Sequence, residues 1–446
     1  GLRATAAPFA TAPCASLAQL ERAVTAAKRA FPQWSSAPDA ERRAALVGIA
    51  DAVEQKAPEL AQIFVREHGA PLRGAMLELI VFAMKLKGAA AHPIPRHEIP
   101  VGAGRKVEQL YRPLGVVAAI VPWNVPLILL AAKLGPALLM GNTVVIKPAA
   151  TTPLTTLRIG EIIARHVPAG VVNIVTGDHD LGPALVAHPD VRMVSFTGST
   201  ANGRKVFAGA ADRIKRLTLE LGGNDPAVVL DDADPVDVAD KIFAQSMINC
   251  GQACVAIKRV YAQDGIHDRL CEELGKKFAA ARVGDGLAPD TQFGPLQNER
   301  QFRRVTELRE HTARTARIVA EGTAPEGPGY FVAPTLFADV RNGDRIVDEE
   351  QFGPLLPVVR FSAVDDAIRW ANEGEFGLSA SVFTANEELG YAIAARIEAG
   401  TVTVNKVLEM HPMVPFGGAK ESGIGVENGE AGLAEFAQLQ IIDRAA

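Results

Sequence analysis

Four apolar runs punctuate the first half of the chain: 116–122 (VVAAIVP), 143–148 (TVVIKP), 171–177 (VVNIVTG) and 191–198 (VRMVSFTG). Each ends in Pro, Gly or a polar turn, and the stretches between them are long enough for helices. Buried strands that alternate with helical crossovers pair in parallel, because each crossover returns the chain in the same direction. A second series follows Glu220, in 225–230 (DPAVVL), 258–263 (KRVYAQ), 316–322 (ARIVAEG), 355–361 (LLPVVRF), 379–384 (SASVFT) and 400–405 (GTVTVN). The expected architecture is therefore α/β, with two Rossmann-like α/β domains joined near residues 220–222. Ligands are expected at the carboxyl ends of the parallel strands. At roughly 100–200 residues per domain, 446 residues suffice for several cores.

Three segments lie outside this pattern. Residues 17–93 read as helices, with Leu17–Phe31 and Asp39–Ala57 punctuated by Pro32, Pro38 and Pro58. Residues 100–113 look like a Gly-rich turn and a mixed strand, and 439–446 (LQIIDRAA) is a strand-like tail. Two isolated strands are unpaired edges, which pairing with each other and with a second subunit would cover, the alternative being an ordinary surface hairpin and a frayed tail. Leu114–Met140 imitates a membrane span in length and apolarity, but Pro122, Pro126 and Pro136 interrupt it, and Asn124 and Lys133 sit inside it. A buried strand, a turn and a buried helix account for it better.

Charge and cysteine content narrow the class of partner. With 46 Lys+Arg against 51 Asp+Glu, the net charge is −5, so neither nucleic acid nor an anionic membrane is an expected partner. Four cysteines (Cys14, Cys250, Cys254, Cys271) form no CxxC pair and are too few for a disulfide framework. Gly1–Pro13 holds one Arg and no long apolar run, unlike a secretory signal, and a reducing cytoplasm is the expected setting. No metal site is expected.

Several residues stand where chemistry is plausible. Cys254 closes Asn249-Cys-Gly-Gln-Ala-Cys254, a glycine-containing loop after the helical pattern Ala239–Ile248. Such a loop leaves the sulfur uncrowded near backbone N–H groups, conditions that lower a thiol pKa, although most free cysteines are small buried hydrophobes. Glu220 stands between leucines at a strand end before Gly222-Gly223. There its pKa should rise toward that of a general base, unless it is merely a capping or paired carboxylate. Asn124, in Pro122-Trp-Asn-Val-Pro126, can direct an amide at a developing oxyanion or cap the helix that follows. Gly198 and Ser199 open a helix after the strand Val191–Phe196, as a pyrophosphate site would, and Lys147 ends the strand before Pro148. Cys250, four residues before Cys254, is a candidate partner for reversible oxidation if the two sulfurs approach, the alternative being that it packs inward.

Taken together, Val121-Pro-Trp-Asn-Val-Pro126, Val145-Ile-Lys-Pro148, Phe196-Thr-Gly-Ser-Thr200, Leu219-Glu-Leu-Gly-Gly-Asn224, Gly251-Gln-Ala-Cys254, Glu349-Glu-Gln-Phe-Gly-Pro354 and Pro415-Phe-Gly-Gly418 resemble the aldehyde dehydrogenase superfamily. The resemblance holds in order and approximate spacing, including the 34 residues from Glu220 to Cys254, and covers nearly the whole chain. It implies that Cys254 is the nucleophile, forming first a thiohemiacetal and then, after hydride loss to NAD or NADP, a thioester. Asn124 and the Cys254 backbone N–H would hold the oxyanion, and Glu220 would activate the hydrolytic water. For the cofactor it implies Lys147 at the adenosine ribose, Gly198 and Ser199 at the pyrophosphate, Glu350 at the nicotinamide ribose and Phe352 beside the nicotinamide. Trp123 and Leu221 would contribute at backbone level.

The same resemblance divides the chain into an NAD(P)-binding domain (1–99 and 114–221), a catalytic domain (222–426), and an oligomerisation arm with a C-terminal tail (100–113 and 427–446). A homodimer or homotetramer follows from that arm. The presence of Glu220 speaks against a CoA-acylating relative, which typically lacks this glutamate. The presence of Cys254, Glu220, Asn124 and Lys147 together speaks against a non-catalytic protein on the same fold. The small-molecule substrate is an aldehyde whose tunnel would be lined by Val125, Ala132, Ile248, Ala253, Val255, Leu408 and Met410. This aliphatic set suits a medium-sized apolar or aromatic aldehyde, while Lys406, Glu409 and His411 lie in the same loop and could reach the mouth. Ala150 stands where many NAD-preferring relatives have a glutamate, so use of both cofactors is expected.

Overall fold

The computed structural model describes residues 8–102, 104–177 and 180–445. The four early runs do become strands. Val116–Ile120, Thr143–Lys147, Val172–Ile174, Val191–Thr197 and Arg216–Glu220 form the parallel part of a six-stranded sheet, whose sixth strand, Gly423–Ile424, pairs antiparallel on one edge. The side chains alternate between two buried faces. Val117, Ala119, Val144 and Ile146 enter one core, while Val116, Ala118, Ile120 and Val145 enter the other. The chain moves outward through 143–147 to 172–174, then returns beside 116–120 with 191–197 and moves the other way. That reversal opens a crevice at the carboxyl ends of Val116–Ile120 and Val191–Thr197. Register aligns its rim, with Ile120 opposite both Lys147 and Phe196, and Thr197 opposite Glu220.

The apolar stretch 114–140 resolves into the strand Val116–Ile120, a turn and the helix Pro126–Leu139, in which nearly every residue is buried. Pro126 takes the first helical position, where no N–H is needed. Among the described residues no helix is long and apolar enough to cross a membrane. Pro32 does not end the first helix as expected, since Leu17–Ser36 runs through it. Trp34, two residues further on, is 1% exposed and donates its indole N–H to the Leu138 carbonyl at 3.2 Å. The burial of that ring holds the last turn in place despite the amide hydrogen bond that proline lacks.

The second series forms a seven-stranded sheet in the order Arg317–Glu321, Thr335–Val340, Leu355–Phe361, Ile257–Gln263, Asp225–Val229, Ser379–Phe383, Thr401–Val404. It is parallel except where Arg317–Glu321 pairs antiparallel with Thr335–Val340. The strand Thr335–Val340 went unread in the sequence because Pro334 and Asp339, the latter left-handed at φ +60°, break its apolar run. The two outlying strands pair with each other, as one of the two expected solutions requires. Ala437–Ala445 lies antiparallel on Arg105–Pro113 over its whole length, and Arg96–Ile99 completes the sheet on the other side. That third strand reaches back into the segment before residue 100.

Trp34→Ala should lower the unfolding free energy of the amino-terminal core by about 3–5 kcal/mol, the usual cost of emptying a large aromatic site. Chemical denaturation followed by tryptophan-independent circular dichroism measures it, and a loss below about 1 kcal/mol would show that the ring does not anchor this helix.

Candidate active site

After the helix Pro235–Ser246 the chain takes three consecutive left-handed residues, Asn249 (φ 49°), Cys250 (φ 58°) and Gly251 (φ 74°). Two of them carry side chains, at a cost of roughly 1–2 kcal/mol each. Hydrogen bonds offset that cost. Asn249 Nδ2 donates to the Asn124 carbonyl at 2.9 Å, Gln252 Nε2 donates to the Asn249 carbonyl at 3.0 Å, and the Gln297 amide donates to Gln252 Oε1 at 2.8 Å. Gly251 is required on a second count, because a Cβ there would lie 2.1 Å from the Gly353 carbonyl oxygen. The turn delivers Cys254 to a partly exposed position. Gly223 makes the junction with the other sheet, since its missing Cβ would meet the Cys254 carbonyl oxygen at 2.7 Å. Thus the Leu219-Glu-Leu-Gly-Gly223 segment and the cysteine loop touch backbone to backbone.

Lys258 ties the loop from below. Its Nζ donates to the carbonyls of Ala253 (2.7 Å), Cys254 (3.0 Å) and Ala256 (3.3 Å), and lies 3.8 Å from Glu350. Its charge is not enough to give a thiolate. Burial pushes the Cys254 thiol up to about 12; Lys258 opposes this, and the carboxyls of Glu220, Asp225 and Glu350 add to it. The expectation of a lowered thiol pKa is therefore corrected, because desolvation, with the charges of Glu220, Asp225 and Glu350 from outside the loop, outweighs Lys258. Cys250 is buried, and burial pushes its thiol to about 12 as well, leaving little thiolate for oxidation.

Asn124 follows the strand Val116–Ile120 and is 4% exposed. It does not cap the next helix. Its Nδ2 donates to the Gln252 carbonyl at 3.0 Å, which binds it to the cysteine loop and leaves the second amide N–H to point elsewhere. The helix Pro126–Leu139 is served instead by Glu78, whose Oε2 accepts from the amides of Leu127 (3.1 Å) and Ile128 (3.2 Å). Burial raises the Glu78 carboxyl to about 8, against those two hydrogen bonds. His68 Nε2 lies 2.6 Å from the Asn124 carbonyl oxygen, a further support for the turn.

Glu220 ends its strand and is 4% exposed. Burial, reinforced by Glu427, raises its carboxyl well above the usual range, while Lys133 and Lys85 pull it down. Lys133, completely buried, donates to Glu427 Oε1 and to Thr197 Oγ1, both at 2.8 Å. Neither Lys133 nor Glu427 was assigned a role from sequence. The available signal was a lysine set into an otherwise apolar helix, which was used only to argue against a membrane span.

The remaining candidates gather along the crevice. Lys147 ends its strand beside the helix Leu181–Ala187 (a Cβ on Gly182 would lie 3.9 Å from its Cε), and its Nζ lies 3.4 Å from the Gly177 carbonyl oxygen. Gly198 donates to the Glu220 carbonyl, and Ser199 is the N-cap of the helix Thr200–Ala210. Ser199 Oγ and its carbonyl oxygen take the Asn202 amide, and the start of this helix carries the partial positive charge that favours an anion. Leu221 is buried and donates its amide to Ser422. Glu350 accepts from the Gly223 amide at 3.2 Å, and burial raises its carboxyl. Trp123 meets Phe352 edge-on, with centroids 5.6 Å apart, and Phe352 is held there by a left-handed backbone (φ 53°). A helix terminus, a lysine, a half-buried carboxylate acceptor and two flat rings form a set of groups that suits a dinucleotide.

On the substrate side, Ala253 is buried, Val125 and Val255 are half-buried, and Ile248 and Met410 are 37% and 41% exposed. Ala132 lines a cavity of about 30 Å³ together with Lys85, His92 and Asn428. Lys406 is paired with Glu409 at 2.8 Å. Among the described residues no three His, Cys, Asp or Glu side chains come together as a metal site would need.

Comparison with known proteins agrees with this geometry. Residues 3–442 match the family model described as the aldehyde dehydrogenase family. An aldehyde dehydrogenase from a Fusarium species is 37% identical, over 96% of this chain and 92% of that protein. The NADP-dependent succinate-semialdehyde dehydrogenase GabD of Escherichia coli is also 37% identical, over 94% of this chain and 88% of that one. Lactaldehyde dehydrogenase from Escherichia coli superposes with a TM-score of 0.95 at 35% identity, covering 99% of this chain and 94% of that one.

If the ligand-free thiol ionises only near pH 12, alkylation of Cys254 by iodoacetamide should rise about tenfold per pH unit through neutral and mildly alkaline pH. Peptide mass spectrometry reads the rate, and a plateau below about pH 8 would contradict the protonated thiol.

Proposed function

From the premise that the chain belongs to the aldehyde dehydrogenase family and is an NAD(P)-dependent aldehyde dehydrogenase, we propose that Cys254, Glu220 and Asn124 carry the reaction. The observation behind this assignment is the backbone contact of Gly223 with the Cys254 carbonyl, which holds the strand end bearing Glu220 against the loop bearing the thiol. The sulfur of Cys254 adds to the aldehyde carbonyl carbon, its proton passing to solvent water as the C–S bond forms and the carbonyl electrons moving onto oxygen. The second Asn124 amide N–H and the Cys254 backbone N–H receive the oxyanion, the Asn124 side chain being already fixed by its bond to Gln252. Bound NAD(P) supplies the hydride acceptor. In the second half-reaction Glu220 takes a proton from water as its oxygen attacks the thioester, and Cys254 departs as the leaving group. A carboxyl with a raised pKa is a stronger base toward water than an exposed glutamate.

Residues 1–99 and 114–221 hold the cofactor in this proposal, and 222–426 supply the nucleophile. Lys147, Gly198, Ser199, Leu221 and Trp123 line one part of the cofactor crevice, and Glu350 and Phe352 the other. Ala150 is exposed and places no carboxylate beside Lys147, so a 2′-phosphate meets no repulsion and NAD and NADP both serve. The substrate is a medium-sized apolar or aromatic aldehyde. The lining is aliphatic, and Lys406, which would otherwise draw a carboxylated aldehyde, is occupied by Glu409. The arm sheet of 96–113 and 437–445 leaves Leu439 and Ile441 exposed, which supports a homodimer or homotetramer built on it. The protein works in the cytoplasm in this proposal, which its four free cysteines suit.

Cys254→Ala should abolish oxidation, whereas Glu220→Gln should keep a burst of reduced cofactor and turn over slowly; parental turnover in Glu220→Gln would remove the glutamate from the mechanism. Ala150→Glu should lower kcat/KM for NADP while sparing NAD. A parent enzyme that already rejects NADP by orders of magnitude would overturn the dual-cofactor proposal. Ranking aliphatic, aromatic and acidic aldehydes by kcat/KM tests the substrate class, and a clear lead for acidic semialdehydes would refute the apolar assignment.

A further inference from the structure

Helix Leu72–Ala91 buries Phe82, Ala83 and Leu86 completely, and among them sits Lys85 at 9% exposure. An ammonium in such surroundings is costly unless charge and hydrogen bonds compensate it. Its Nζ donates to Asn428 Oδ1 at 3.1 Å. Asn428, left-handed at φ 62°, directly follows Glu427, the carboxylate that holds Lys133 at 2.8 Å. Lys133 spends a second N–H on Thr197 Oγ1. The charges then do not balance on these residues alone. Lys133 and Glu427 form one ion pair, and Glu220, 4% exposed, would be left as an unmatched carboxylate in a desolvated pocket.

We propose that Lys85 is a positioning residue for the deacylating base, the second buried cation that lets Glu220 carry its negative charge. Two buried ammoniums and two buried carboxylates come from four separate elements and are linked in space: Lys85 bonds Asn428, the neighbour of Glu427, Glu427 holds Lys133, and Lys133 bonds Thr197, which stands opposite Glu220 in the sheet. Lys85 comes from helix 72–91, Lys133 from helix 126–139, Glu220 from strand 216–220, and Glu427 from the segment before the helix Gly429–Glu435. The remaining titratable groups near them are the Cys254 thiol, which feels the charge of Glu220, and His92, which lines the cavity of about 30 Å³ beside Lys85 and Asn428. That cavity can hold a water against the ammonium. The electrostatics run in the expected sense. Burial lowers the Lys85 ammonium while Glu427 and Glu220 restore it, and Lys85 in turn pulls the buried Glu220 carboxyl down. During deacylation the water oxygen bonds to the thioester carbon, the C–S bond breaks with its electrons on Cys254, and the water proton passes to Glu220. Lys85 exchanges no atom in this step and acts only through the charge of Glu220.

The inference rests on Glu220 being the deacylating base, and its test separates the two. Rapid mixing of the full-length enzyme with aldehyde and cofactor reads acylation from the burst of reduced cofactor and deacylation from acid release, each as a function of pH. Without the cation, the Glu220 carboxyl titrates higher, so the base form is reached later as pH rises. Lys85→Met should therefore leave the burst intact and move the acid limb of deacylation upward by about one pH unit, a rate about tenfold lower on that limb. Lys85→Arg should restore the parental limb. Lys85→Gln, which keeps a donor for Asn428 without the charge, should move it as methionine does, and serves as the neutral variant if methionine is not accommodated. An unmoved limb in the neutral variants, or a uniform loss at every pH, would overturn the role of Lys85. Parental acid release in Glu220→Gln would instead overturn the assignment of the base itself.

Discussion

The ion pair between Lys133 and Glu427 is the contact on which the site depends. A completely buried ammonium is tolerable only with partners in good geometry, and Lys133 finds two at 2.8 Å. Those partners come from distant parts of the chain, Thr197 at the end of one sheet strand and Glu427 some 230 residues later. Satisfying one lysine therefore pins the helix behind Asn124, the strand beside Glu220 and the segment that returns from the second sheet. Removing either partner would leave a buried charge with nothing to answer it, a larger penalty than the pair is worth as a bond.

The resting electrostatics differ from those of a site kept primed. The Cys254 thiol is held protonated, and the Glu220 carboxyl is raised by the same desolvation. Lys258 balances the carboxyls around the sulfur but directs its N–H groups to three carbonyls, so it stabilises the loop more than the thiolate.

Much of this was legible in the sequence, for identifiable reasons. Strands ending in Lys147, Gly198 and Glu220 were readable because fully buried parallel strands are short apolar runs with abrupt ends, and the same abruptness marks the ligand edge. Cys254, Asn124 and Glu220 stood beside glycines and prolines whose special backbone roles the structure bears out, at Gly223 and Gly251 above all. What escaped was whatever depends on partners far away in the chain. Pro32 looked like a helix end because nothing local reveals that Trp34 will be buried against Leu138. Lys85 and Glu427 lie in unremarkable local sequence, and only the Lys133–Glu427 pair and the Lys85–Asn428 bond beside it give them meaning. The thiol pKa failed for a related reason, since the loop geometry was readable but the desolvation of the sulfur, and the charge of Asp225 that adds to those of Glu220 and Glu350, were not.

The edge of the first sheet has a consequence for how the chain acquires its structure. Gly423–Ile424 pairs with Leu219 and Glu220, and Leu433, Phe436 and Ala437 enter the same core as the amino-terminal helices. Between these partners lies the whole second sheet. The amino-terminal half can begin to collapse during synthesis, yet the strand that carries Glu220 has an open edge until residues beyond 420 have been made. Closing a loop of that length is slow, and an exposed strand edge is a template for pairing with another chain in the interval. Catalytic competence is thus acquired late in biogenesis, after translation of the second sheet, and nascent chains of this protein would draw on chaperones during that delay.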